Sequence, residues 1–240
     1  MNDQALTDSV RRLAADYELD LVGVADLEPA MRERPEVFAD VGRPFPRAVV
    51  MGLRLSRAVL ATCVDGPSAL YFHHYRQANC QLDRAALAVA IHLQRAGHEA
   101  LPVGASQVIG DEKGVGSPSH KGLPTPFSMR GHVSHRKVAE LAGLGWRGRS
   151  GLLVTREYGA QVRLVTVLTD APLVPGAEVK RACGSCGRCR AVCPAHAIGE
   201  TAEDFNLQAC FAQLSEYRKR PFIGQHICGL CVRVCDGTPT

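Results

Sequence analysis

Apolar residues recur at helical spacing near the start of the chain, at Leu6, Val10, Leu13 and Tyr17, before the almost unbroken run LVGVADL (21–27). The first pattern predicts an amphipathic helix and the second a buried strand. AVVMGLRL (48–55) predicts another strand. From Ser68 to Gly97 a stripe of Leu70, Ala78, Leu82, Ala85, Val89 and Leu93 predicts a long helix, with Gly97 where a C-terminal cap belongs. EALPVGA (99–105) reads as the next strand. HRKVAELAGLG reads as a short helix with Ser134 as its N-cap. GLLVT and VRLVTVLTD flank REYGAQ, a pattern that predicts a β-hairpin.

Two segments interrupt this alternation. Residues 106–131 are rich in Gly, Ser and Pro, the composition of a binding or lid loop. APLVPGAEVK (171–180) reads as a linker, and eight of the ten cysteines lie beyond it. The expected organisation is therefore residues 1–175 as one domain and 176–240 as a second, smaller module. No apolar run approaches the ~18 residues of a membrane span. MNDQALTDSV has neither the basic nor the apolar region of an export signal, so a cytoplasmic protein without a membrane partner is expected. Structural disulfides are rare in the cytoplasm, and so many cysteines then point to metal.

The cysteine spacing sharpens that expectation. Cys183-x-x-Cys186-x-x-Cys189-x-x-x-Cys193-Pro194 matches the bacterial ferredoxin run C-x₂-C-x₂-C-x₃-C-P. Two residues between thiolates let one tight loop wrap three corners of a cubane, and the fourth cysteine serves a second cluster. Gly184, Ser185 and Gly187 are small enough for backbone N–H groups to approach sulfides. A second set is present in Cys210, Cys228, Cys231 and Cys235. By ferredoxin-type cross-ligation, Cys183, Cys186, Cys189 and Cys235 would hold one [4Fe–4S] cluster, and Cys193, Cys210, Cys228 and Cys231 the other. Zinc is the rival metal for C-x₂-C pairs, but it needs only four ligands and gives the C-x₃-C-P tail no role. Both clusters read as electron relays, closed by thiolates. His196 and His226 stand beside ligands without being needed as such, and Cys63 and Cys80 are expected to be small buried hydrophobes.

The formal charge of +4 counts every cysteine as neutral. Ligation requires thiolates, and eight of them with two doubly positive cores bring the sum to about zero. The basicity is thus no footprint of nucleic acid, and neither a basic stripe nor a recognition motif is present.

A ferredoxin needs far less chain than this, so the clusters should deliver electrons to something in residues 1–175. AELAGLGWRGRSGLLV (139–154), VTVLTDAPL (165–173) and the eight-cysteine module, after the opening DYELDLVGVADLEP, resemble the epoxyqueuosine reductase family and its relatives, the corrinoid-dependent reductive dehalogenases. The resemblance implies an α+β fold: a nitroreductase-like α/β sandwich followed by a two-cluster ferredoxin-like module. It also implies that cobalamin is bound in the first domain and fed by the clusters. Gly143, Gly145, Trp146 and Gly148 would then lie near the corrinoid, the glycines allowing close backbone approach. The family's proton-donor aspartate falls on Met129, which leaves His132 and His135 as candidate donors. The chain stops at Thr240, before the helical-repeat extension that queuosine members associate with tRNA, and the twin-arginine signal of dehalogenases is not seen. Cys235 is followed by Asp236 rather than proline. These departures point away from tRNA modification.

Further candidates are Tyr71, His73, His74 and Tyr75 near the start of the long helix, and the cations Lys121, Arg130, Arg147 and Arg149 around the loop and the glycine turn. The leading expectation is an oxidoreductase in which two [4Fe–4S] clusters, charged by a low-potential ferredoxin or flavodoxin, pass electrons to a corrinoid that reduces a small molecule. An electron-transfer or reductive-activation protein without its own substrate, and an FMN-linked reductase, are the alternatives. Nucleic acid is not an expected partner.

Overall fold

A computed structural model describes residues 2–33, 45–106 and 131–238. Asn2 caps helix α1 (Asp3–Asp16) by accepting a hydrogen bond from the Ala5 amide, and Leu6, Val10 and Ala14 form its buried face. The next two apolar runs are strands β1 (Leu21–Asp26) and β2 (Arg47–Arg54), each followed by a short helix, α2 (Glu28–Glu33) and α3 (Arg57–Ala61). Ser68 caps the long helix α4 (Ala69–Arg95), and Gly97 beyond its end takes φ +90. Strand β3 (Ala100–Val103), helix α5 (His135–Leu141), the two-residue strands β4 (Trp146–Arg147) and β5 (Leu153–Val154), and β6 (Val162–Thr169) complete the first unit.

The main sheet is antiparallel, in the order β1-β2-β6-β3. Its central strands are covered on both faces, which is why β2 reads as an unbroken apolar run. Val49 and Met51 of β2, with Val165 and Val167 of β6, pack against α1 and α4 through Leu82, Ala85, Val89 and Leu93. Ala48 and Val50, with Leu164 and Leu168, face the other way onto Val138 and Ala139 of α5. The two-residue alternation of a strand thus sorts neighbouring side chains into two cores.

Three expectations are corrected. Leu70 is 62% exposed, and Tyr71 opens the buried stripe of α4 instead. Seven residues separate Tyr71 from Ala78, close to two full turns, whereas Leu70 is rotated well off that face. Cys63 is fully buried as expected, but Cys80 is exposed, two positions along from buried Ala78. The anticipated hairpin across REYGAQ shrinks to one antiparallel bridge, in which Thr155 and Gly159 exchange backbone hydrogen bonds. Leu153 and Val154 pair with Trp146 and Arg147, because the Gly148 amide donates to the Leu152 carbonyl and closes a tight turn. Strand β2 pairs along the whole of β6, and β3 covers its other edge over Thr166–Thr169.

The segment after β6 is a strap laid on this unit. Leu173 is buried, the Val174 amide donates to Thr7 Oγ1, and the Gly176 amide donates to the Val24 carbonyl. Beyond it lie helices α6 (Arg188–Ala191), α7 (Leu207–Arg218) and α8 (Leu230–Arg233). Ile223, Ile227 and Leu230 share a third core with Leu55, Leu60, Cys63, Tyr71 and Ala78 of the first unit. Among the described residues no helix is long and apolar enough to cross a membrane.

Leu82 is fully buried between α4 and the sheet. Leu82→Ala is expected to lower unfolding stability by about 3 kcal/mol, read from the midpoint of a denaturant titration. A loss well under 1 kcal/mol would mean that this layer is not the packed core described.

Candidate metal centre

The first cysteine loop is shaped by a left-handed Gly184 (φ +57) and by the Cys186 amide donating to the Cys183 carbonyl at 3.2 Å. Helix α6 carries Cys189, α7 carries Cys210 and α8 carries Cys231. The thiols influence one another in two groups. Burial pushes the Cys189 thiol up, and Cys235, Cys183 and Cys186 push it further. Burial likewise raises Cys210 to about 11, with Cys193 and Cys228 adding to it. Cys228 is raised to about 11 by burial, then by Cys193 and Cys63. Cys231 is raised chiefly by burial and then by Cys228, Cys210, Cys189 and Cys193, so the two groups lie side by side. Yet among the described residues no three His, Cys, Asp or Glu side chains converge on a point that would hold one metal ion.

Buried thiols that press on one another's charge can ionise together only beside a compensating cation. Amides also turn toward the sulfurs: the Ala197 N–H donates to Cys193 Sγ at 3.4 Å, and backbone groups of Ala160 and Gly237 bond Cys235. The donor set fits iron–sulfur ligation in chemistry and in grouping.

Cations and glycines of the first unit frame the group around Cys183. Arg149 donates to the carbonyls of Gly184, Cys186 and Glu200, tying the loop to the β4–β5 turn. A Cβ on Gly148 would stand 3.5 Å from Cys183 Sγ, and one on Gly159 would strike the Cys235 carbonyl oxygen at 2.2 Å. Arg188 forms a two-pronged ion pair with Asp236, at 2.8 Å for Nη1 to Oδ2, and also donates to the Thr238 carbonyl. Sequence reasoning noted Asp236 only as a missing proline; its partner is Arg188, inside the first cysteine run.

The other group meets apolar and aromatic surfaces. A Cβ on Gly229 would lie 2.9 Å from Cys63 Sγ and 3.0 Å from the Tyr71 ring. His226 stacks on Phe211 with ring centroids 4.8 Å apart, and His196 sits in a left-handed turn (φ +47). Tyr71 is buried, and its neighbours in the same stripe, Tyr75, Asn79 and Asp83, meet the rest of the first unit. The Arg163 guanidinium lies 4.3 Å above the Tyr75 ring and donates to Asn79 Oδ1, while Asp83 accepts from the Ala105 amide. His74 Nε2 accepts from the Ser56 amide at 2.9 Å, and His73 is exposed.

The glycine-rich motif has an internal explanation at two of its positions. A Cβ on Gly143 would collide with the Ala177 carbonyl, and one on Gly145 with the Val154 carbonyl, both at 2.2 Å. Trp146 is 4% exposed, and its Nε1 has no hydrogen-bond partner among the described residues. It borders an open groove of about 600 Å³ that Gly145, Arg147, Arg149, Lys180, Arg181 and Cys183 also line. Four glutamates share that lining, and Glu203 lies 3.9 Å from Arg147, so the groove is not a one-signed patch. Lys121, Met129, Arg130 and most of the loop expected over 106–131 lie outside the described residues.

His132 is half-buried just before α5. Both ring nitrogens of His135 are engaged, Nδ1 with Thr166 Oγ1 at 2.8 Å and Nε2 with the Gly104 carbonyl at 3.0 Å. Burial holds its pKa down at about 4, against the Gly104 bond that pulls the other way.

No protein-family model matches the chain. Over 115 residues it is 34% identical to the epoxyqueuosine reductase of Bacillus anthracis, a match covering 44% of this chain and 30% of that protein. The chain is similar in sequence to the epoxyqueuosine reductases. The match spans less than a third of the curated reductase's length. A reductive dehalogenase whose structure was read for B12-dependent dehalogenation superposes with a TM-score of 0.71 at 18% identity, over 98% of this chain and 32% of its own. An epoxyqueuosine reductase solved with an epoxyqueuosine-modified tRNA stem loop gives 0.56 at 20% identity, over 98% of this chain and 65% of its own. At those identities the likeness is one of fold. The mixed helix-and-sheet architecture expected from the sequence is shared with both groups. That structure holds a tRNA stem loop, in contrast to the absence of nucleic acid from the partners expected here.

A buried neutral His135 makes the unfolded chain the better proton binder between its folded pKa of about 4 and the ordinary 6.5. Stability therefore rises with pH across that window and is lost as pH falls through it. His135→Gln is expected to flatten this slope in denaturant titrations between pH 6.5 and 4. An unchanged slope would mean that the imidazole titrates normally.

Proposed function

We propose that this chain is an iron–sulfur oxidoreductase of the cytoplasm in which two [4Fe–4S] clusters relay electrons to a corrinoid bound by residues 1–175. The single observation that carries this reading is the crowding of eight thiols, Cys189 with Cys183, Cys186 and Cys235 and, beside them, Cys231 with Cys193, Cys210 and Cys228. Cys183, Cys186, Cys189 and Cys235 would hold one cluster, and Cys193, Cys210, Cys228 and Cys231 the other. The fold it shares with a B12-dependent dehalogenase supports the corrinoid part.

When bound, a corrinoid would supply a low-potential, nucleophilic cobalt for reducing a small substrate. The chain's own residues do the rest. Gly145 and Trp146 border the groove beside Cys183, and the indole N–H would donate to an acceptor of the ligand. Gly143 and Gly148 keep the turn close to the strap and the first cysteine loop. Any proton would come from His132, since His135 is spent on Thr166 and Gly104. Electrons would arrive from a low-potential ferredoxin or flavodoxin. A second reading, favoured by the reductase relatives, makes a modified nucleoside in tRNA the substrate.

Anaerobic reconstitution with iron, sulfide and hydroxocobalamin tests the proposal. About eight irons and one cobalt per chain are expected, with about four irons lost in Cys186→Ala. Eight irons without cobalt would overturn the corrinoid assignment, and flavin titration would then separate an FMN reductase from an electron carrier. Full iron in Cys186→Ala would overturn the ligand assignment. Retention of a queuosine-modified tRNA stem loop in a gel-shift assay would favour the second reading.

A further inference from the structure

The two cysteine loops repeat one another, Cys186-Gly187-Arg188-Cys189 against Cys228-Gly229-Leu230-Cys231, and Cys193-Pro194 answers Cys235-Asp236. The repeat breaks at two positions only within these stretches, where Leu230 and Pro194 stand opposite Arg188 and Asp236. Those two departures are bonded to each other. Arg188 grips Asp236 through Nη1 and Nη2, and the Thr238 amide and hydroxyl fix the carboxylate from its other side, at 3.1 and 2.6 Å. The charged pair has replaced an apolar residue and a proline together.

Its position is specific to one set of thiols. The guanidinium lies against Cys186, and its charge also reaches Cys235. Both belong to the set that includes Cys183 and Cys189. Its Nε–H is buried with no hydrogen-bond partner among the described residues. Leu230, in the equivalent place, is 4% exposed and packs with Ile223, Ile227, Cys63 and Tyr71. The two sets therefore sit in unlike surroundings: a guanidinium lies against Cys186 in one, while in the other Leu230 belongs to an apolar wall and the charge of Arg220, paired with Asp65, reaches Cys228.

We propose that Arg188, oriented by Asp236, is a positioning residue that raises the reduction potential of the cluster held by Cys183, Cys186, Cys189 and Cys235 above that of its neighbour. One-electron reduction takes a doubly positive core to a singly positive one, so the reduced cluster carries one more negative charge. A fixed guanidinium and a donated N–H stabilise that extra charge. The carboxylate holds the guanidinium in place by a bidentate bond that lysine could not reproduce.

The inference rests on the two-cluster reading but not on the corrinoid. The test is a dithionite titration followed by electron paramagnetic resonance, on the full chain reconstituted with iron and sulfide. Arg188→Leu, which copies Leu230, is expected to keep eight irons and move one of two cluster potentials downward while the other stays. Arg188→Lys should restore part of the shift. Asp236→Asn, which removes a negative charge beside Cys235 and leaves the guanidinium unpaired, should move the same cluster upward, opposite to Arg188→Leu, and leave the other in place. Should Arg188→Leu shed iron, Arg188→Lys and Asp236→Asn carry the measurement at full iron content. Unmoved potentials in variants with eight irons, or equal shifts of both clusters, would overturn the inference. A parent chain without two clusters would overturn the two-cluster reading itself, and this inference with it.

Discussion

A thiol buried away from water resists ionisation, and metal ligation requires that it ionise. Residues 181–238 are organised around that conflict. Cys189, Cys210, Cys228, Cys231 and Cys235 are all pushed up by burial. Little else in this stretch could hold it folded. Its only long helix, α7, buries Tyr217 alone, and Ile223, Ile227 and Leu230 are buried mainly against the first unit. Small modules with so thin a core depend on staples, and countercharge at the thiols is the one this arrangement calls for.

The same constraint explains how tightly the two units fit. The first unit approaches both cysteine groups closely. Gly159 leaves room for the Cys235 carbonyl, Gly148 faces Cys183, and Gly229 admits both Cys63 and Tyr71. Arg149 adds hydrogen bonds across the boundary, and Gln161 Nε2 donates to the Arg233 carbonyl at 2.9 Å. The strap from Ala171 onward is packed, so it works less as a flexible linker than as a seam. Close, fixed contact is what the proposed passage of electrons from one unit to the other would require.

Local pattern carried the sheet domain well. The runs at 21–27 and 48–55, the long helix and its caps at Ser68 and Gly97, and the N-cap at Ser134 all follow from spacing and side-chain chemistry. What failed was partner choice. Leu153 and Val154 look like the first arm of a hairpin with β6, but they pair back onto Trp146 and Arg147, and the chain reverses at Thr155 and Gly159 before β6 begins. Leu70 failed for a smaller reason, a single residue of helical phase. The cysteine pattern was legible as a pattern because its spacing is local. The surroundings of the thiols were not, because Arg149, Cys63, Tyr71 and Gly159 reach them from distant parts of the chain.

The least legible pair is the most instructive. Asp236 alone reads as a tolerated departure from Cys-Pro, and Arg188 alone as a solvated cation in a basic run. Only the fold shows that they are one feature, forty-eight positions apart. Proline at that place would stiffen the chain after the cysteine but offer no acceptor, and Leu230's counterpart would have nothing to grip. Four thiolates around each proposed core would be chemically the same, so a difference between the centres could not come from their ligands. It has to come from charge, hydrogen bonding and burial around them. Here Arg188 and Asp236 stand against one set, while the other has an apolar wall and the charge of Arg220 at Cys228, a contrast that ligand chemistry alone cannot supply.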